Sequence, residues 1–158
     1  LIGGQGNDKI EGGKGADQID LPAGGVDRVK YESRTDGSVV GVAGTSFTGQ
    51  DAITGFTSGD DKIDIDYSFQ AVKFITEADG FDLTSVDDVV TAMNTAIAAD
   101  ALLAGRSVIF AINTSAASAV YSATVIDSDP LADGVQAVVS NPYLLATVNT
   151  PLVAGDVI

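Results

Sequence analysis

Two consecutive nine-residue units open the chain in unbroken register: Gly3-Gly4-Gln5-Gly6-Asn7-Asp8-Lys9-Ile10-Glu11, then Gly12-Gly13-Lys14-Gly15-Ala16-Asp17-Gln18-Ile19-Asp20. Glycine holds positions one, two and four, Asp holds six and Ile holds eight. Glycines this dense serve no core. They admit positive φ and let backbone carbonyls turn toward one point, which a residue with a Cβ does only at a cost. Two residues after each Asp, the β-branched Ile sits in a short strand where alternate side chains face opposite ways. Ile10 and Ile19 then point inward while Lys9, Glu11, Gln18 and Asp20 face water.

Nine residues make half a turn of a β-helical stack, so loops alternate between two edges. Asp8 and Asp27 fall on one edge and Asp17 on the other. The third unit, around Val26-Asp27-Arg28-Val29, keeps the Asp and the inward Val29 but gains a residue near Leu21. It reads as a degenerate, terminating repeat. Further on, Asp51/Ile53 and Asp61/Ile63 repeat the Asp-x-Ile spacing, as if continuing the stack without its glycine loops. Lys62-Ile63-Asp64-Ile65 alternates like a half-buried strand.

An ion fits the loop chemistry. Calcium takes six to eight oxygens, which carbonyls and an Asp carboxylate can supply. The chain has 22 acids against 8 bases, a net charge of −14. All but Glu11, Glu32 and Glu77 of those acids are Asp, the acid favoured in turns and oxygen-ligand loops. Such a surface repels nucleic acid and anionic membranes, so neither is expected as a partner. With no Cys and no His, thiolate chemistry, disulfides, His-dependent catalysis and a typical zinc site are not expected. Apolar residues make up 45% of the sequence, enough for a real core. No stretch approaches a bilayer span or resembles a signal peptide, and the lack of an initiating Met suggests a piece of a longer polypeptide.

Beyond the repeats, Val72 to Thr76 reads as a strand. Ser85 is a good helix N-cap, with Val86, Val89, Val90, Met93 and Ile97 on one face and Gly105 as the stop. Strands are expected at 107–112, 119–126 and 136–139, and again at 143–148 after an Asn141-Pro142 turn. No base follows Arg106.

The two glycine-rich units resemble the calcium-binding β-roll of RTX proteins. Val29-Lys30-Tyr31-Glu32-Ser33 with Asp36, and the Asp-x-Ile-x-x-Phe-x-x-Gly-x-Asp-Lys-Ile-Asp run from Asp51 to Asp64, are similar to the segment after the repeats in serralysin-type proteases, RTX adhesins and RTX S-layer proteins. The resemblance implies a mostly β chain: a parallel β-roll over 1–66, stacked on a β-rich C-terminal cap over 67–158 with one helix around 85–104. It also implies a non-catalytic role. The chain would leave the cell through type I secretion machinery, fold on binding Ca2+, and remain extracellular or at the cell surface. By the family's ligand pattern, Gly3, Gln5 and Asp8 would meet Ala23, Gly25 and Asp27 around one ion. Gly12, Lys14 and Asp17 would begin a second site, completed one turn later with Asp36 as the candidate. Asp51 and Asp61 extend the set. Two other readings stand beside this one. The chain could be an assembly or anchoring module that self-associates. Alternatively, Asp60/Asp61 or Asp127/Asp129/Asp133 could serve a carboxylate hydrolase.

Overall fold

Each Asp-x-Ile unit forms a strand of three or four residues whose position-eight side chain is buried between wetter neighbours. The computed structural model describes residues 1–22, 24–38, 40–98, 103–127 and 137–158. In chain order these form β1 (Lys9–Glu11), β2 (Gln18–Asp20), β3 (Arg28–Tyr31), β4 (Asp51–Thr54), β5 (Lys62–Ile65), β6 (Ala71–Thr76), α1 (Val86–Ile97), β7 (Ser107–Asn113), β8 (Ser118–Asp127) and β9 (Ala137–Val148). The described residues are therefore mostly β, with one helix and two sheets.

The first five strands alternate between the sheets. β1, β3 and β5 form one, all parallel, with Ile10, Val29 and Ile63 in line. β2 and β4 pair in parallel in the other, Ile19 beside Ile53. That second sheet does not stop at β4. It continues through β9, β8, β7 and β6, so it crosses from the 1–66 segment into the 67–158 segment. β4 lies parallel to β9, β8 runs antiparallel to both β9 and β7, and β6 lies parallel to β7.

Two cores result. Ile10, Ile19, Val29, Ile53, Ile63, Leu145 and Val148 fill the space between the sheets. On the far side of the six-stranded sheet, Val86, Val89, Met93 and Ile97 of α1 pack with Phe110, Tyr121 and Leu144. Each fully buried aliphatic side chain contributes roughly 1.5 to 3 kcal/mol, which is what holds the helix down. Ser85 caps it, its hydroxyl accepting the Asp88 N–H at 3.3 Å, and Asp87 and Asp88 suit the positive end of the dipole.

Two sequence expectations change. The helix ends at Ile97 with Ala98 as its cap, short of residue 104 (99–102 lie outside the described residues). Gly105 instead bonds its N–H to the Val125 carbonyl. Asn141-Pro142 is not a turn between two strands but an irregularity inside β9. Asn141 takes a positive φ of 49°, and proline, which has no N–H to give, accepts the Gly41 N–H at its carbonyl, 2.7 Å. Residues 152–158 also join the stack. Val157 lies beside Ile63 in a parallel bridge, adding one more rung to the sheet of β1, β3 and β5.

Candidate metal site

Strand register aligns all five Asp-centred units. Counting back from each Asp, the residue two before is Gly6, Gly15, Gly25, Gly49 or Gly59, and all five have φ between 85° and 128°. The last two units thus keep the position-four glycine that the sequence reading denied them. At Gly25 the need is also steric: a Cβ there would lie 2.0 Å from the Gly6 carbonyl oxygen. This is where one loop stacks directly on the next, tied by Gly6 N–H to the Gly24 carbonyl at 3.0 Å and by Val26 N–H to the Asn7 side chain at 2.9 Å.

The aspartates make two ladders. On the first edge Asp8 donates its N–H to the Asp27 carboxylate, and Asp27 donates its own to the Asp61 carboxylate, each at 2.9 Å. On the second edge Asp17 N–H reaches the Asp51 carboxylate at 2.9 Å. Asp27, Asp51 and Asp61 are 2%, 1% and 3% exposed, so their charges are deeply withdrawn from water. None of the ion pairs among the described residues involves a ladder aspartate. Burying a carboxylate without a cation is costly.

Two features mark where a cation would sit. The Asp8 Oδ2 atom is buried with no hydrogen-bond partner, and it faces Gly3 and Gly4. At Gly12 the missing Cβ leaves a cradle: that point is 2.9 Å from Asp17 Oδ2 and 3.1 Å from Asp51 Oδ2. No three acidic side chains converge among the described residues; on the second edge two do, so backbone oxygens would have to complete a shell. Hard oxygen donors of this kind suit calcium. Gln5 and Lys14 are exposed in their loops and Gly3 and Gly12 half-buried. Ala23 lies outside the described residues.

Asp36 is not hydrogen-bonded into either ladder, although its charge is felt at Asp51. Its carboxylate accepts the N–H groups of Glu32 and Ser33 at 2.9 and 2.8 Å, closing the turn after β3. The partner of Asp17 one turn later is Asp51. Tyr31 is a participant the sequence reading missed. Buried, it donates its hydroxyl to Asp51 Oδ2 at 2.8 Å, and burial together with the Asp51 charge holds its phenol well above the usual range. Its signal was the β3 alternation, which turns Val29 and Tyr31 inward together.

Burial pushes the Asp51 carboxyl up to about 6, against the opposing hydrogen bonds from Asp17 N–H and the Tyr31 hydroxyl. The charges of Asp17 and Asp36 push the same way as burial. An unfolded Asp titrates near about 3.9. The ion-free native state therefore binds a proton that the unfolded chain lacks between about pH 4 and 6, and stability falls as pH rises through that window. The loss should be roughly 2 to 3 kcal/mol by linkage. Urea unfolding in chelator across this range measures it. Asp51→Asn should flatten the difference relative to the parent, and an identical pH profile in the two proteins would refute the assignment.

No protein-family model matches this chain, and no curated protein matches it at significant similarity.

Proposed function

We propose that the five aligned half-turns form a calcium-binding β-roll, sealed by the sheet and helix that follow, in a secreted protein without catalytic activity of its own. The observation that carries this reading is the pair of aspartate ladders: carboxylates linked by backbone N–H groups, in no ion pair with Lys or Arg among the described residues, each two residues after a left-handed glycine. Gly3, Gln5, Asp8, Gly25 and Asp27 would hold one ion on the first edge, and Asp27 with Asp61 another. Gly12, Lys14, Asp17 and Asp51 would serve the second edge. The bound ion supplies positive charge where the fold has concentrated negative charge.

At the low calcium of a cytosol the ladders oppose folding and lower the stability of the native state, so the chain would pass through type I secretion machinery before it folds and gain its full stability outside. Native-state binding stabilises by mass action, about 2.7 kcal/mol per site at a hundred times the Kd. A calcium titration followed by circular dichroism tests this. We expect a gain of β signal that magnesium fails to reproduce, weakened by Asp8→Ala and by Asp17→Ala. A fold indifferent to chelator sinks it.

An assembly role is the second reading. β6 is the outer strand at the end of the six-stranded sheet opposite β2, with Phe74 38% exposed, and uncovered strand edges invite pairing. Light scattering at micromolar protein decides it: calcium-dependent oligomers favour assembly, and strict monomers remove it.

A further inference from the structure

The buried acids among the described residues are Asp27, Asp51, Asp61 and Asp156, and they are balanced in two ways. The first three belong to the ladders and take part in no ion pair with Lys or Arg among the described residues. Asp156 is fully buried as well, yet the Lys62 ammonium lies 3.6 Å from its Oδ1 atom. A buried carboxylate needs a compensating charge, and at Asp156 the chain supplies its own.

Lys62 follows Asp61 directly, at the position that Lys9 and Arg28 hold in the other two units of the same sheet, and the three residues stand in register. The Lys9 and Arg28 side chains are 55% and 53% exposed and pair with Glu11 and Asp64 on the outer face. The Lys62 side chain is only 20% exposed. It turns back on its own loop and donates to the Gly59 carbonyl at 2.9 Å. Its contacts are therefore a loop carbonyl and an Asp carboxylate, the two kinds of oxygen that suit a calcium ion.

Asp156 also takes the place of a rung. Val157 pairs with Ile63, which sets Asp156 beside Lys62 at the end of the sheet of β1, β3 and β5. Its Oδ1 atom accepts the Gly59 N–H, and its Oδ2 atom accepts the Ser58 hydroxyl and the Val153 N–H. A carboxylate thus receives a loop N–H from the neighbouring unit, as Asp27 receives that of Asp8 and Asp61 that of Asp27. What differs is the cation. A divalent ion arriving at Asp156 would have to displace an ammonium already in contact with it, and like charges repel strongly where water is excluded.

We propose that Lys62 fixes where the first-edge ladder stops taking calcium: its ammonium stands in for the ion at Asp156, so the last rung closes without metal. This rests on the calcium reading of the ladders and adds to it a limit on where ions go. A variant without the ammonium leaves the Asp156 carboxylate, the Gly59 carbonyl and the Ser58 hydroxyl around an uncompensated charge, and calcium accepts such oxygens together with water.

The test counts bound calcium ions by isothermal titration calorimetry on the full chain, beside urea melts in chelator and in calcium. Lys62→Met should bind one ion more than the parent, lose stability in chelator and regain it in calcium. Lys62→Arg, which keeps a cation, should keep the parent's ion count. Lys62→Met combined with Asp156→Asn removes both charges and should return the count to that of the parent. An unchanged count in Lys62→Met, with a stability loss that calcium does not repair, overturns the proposal and makes Lys62 an ordinary ion-pair partner. So does an extra ion that persists in the double variant. A parent that binds no calcium refutes the reading of the ladders; an ion gained by Lys62→Met would still uphold the role of Lys62, and none gained would end it.

Discussion

Asp27→Asn should leave the calcium-free protein about as stable as the parent while removing close to 5 kcal/mol of calcium-induced stabilisation. Asp27 is the middle rung of the longer ladder: its carboxylate receives the Asp8 N–H, and its own N–H goes to Asp61. Asparagine keeps the same acceptor oxygen, so the rung survives. What disappears is a formal charge shared by both stacked pairs. With calcium at a hundred times the Kd, two lost sites cost about 2.7 kcal/mol each by mass action. Paired urea melts, one in chelator and one in calcium, separate the two quantities. An undiminished calcium increment in the variant would count directly against ion binding on this edge.

Asp156→Ala should destabilise by about 3 to 5 kcal/mol whether or not calcium is present, the usual cost of removing one partner from a buried charged network. The Asp156 carboxylate is fully buried. It accepts the Ser58 hydroxyl at 2.7 Å and the N–H groups of Gly59 and Val153 at 2.9 Å each, with the Lys62 ammonium 3.6 Å away. Alanine strands all of these donors at once. For a chain of this size the melting temperature should fall by about 10 °C. The contrast with Asp27→Asn is diagnostic, since one variant should lose stability only with calcium and the other in both conditions. A loss under 1 kcal/mol would mean that the segment around Asp156 does not close the stack.

How much of this was legible in the sequence depends on what each residue answers to. The inward Ile and Val positions were plain, because strand alternation is local and needs no knowledge of partners. The position-four glycines at Gly49 and Gly59 were equally local, but they surface only when the units are aligned on the Asp and not on the glycines that open the first two. Pairing was harder. Counting half-turns gave 19 residues between Asp8 and Asp27, as found, and pointed from Asp17 to Asp36. The segment after Tyr31 leaves the stack, however, and the next Asp on that edge lies 34 residues on, at Asp51. Asp61 lies the same 34 residues beyond Asp27, for the same reason. An excursion of that kind is set by what the six-stranded sheet needs to cover, as when Ser38 binds the backbone of Leu144. Periodicity cannot report it. Asp156 was invisible for a related reason: it sits next to Val157 and not two residues before it, so it breaks the spacing while filling the role.

The pairing of β4 with β9 and the bond from Ser58 to Asp156, 98 positions apart, bear on the order of events in time. Neither edge of the stack can be completed until the far end of the chain arrives. Short local strands would otherwise zip up turn by turn; here the final turns wait on contacts of long sequence separation, the kind that slow folding and make it all-or-none. The chain should therefore refold in a single slow phase, with its first repeats ordered no earlier than its last residues.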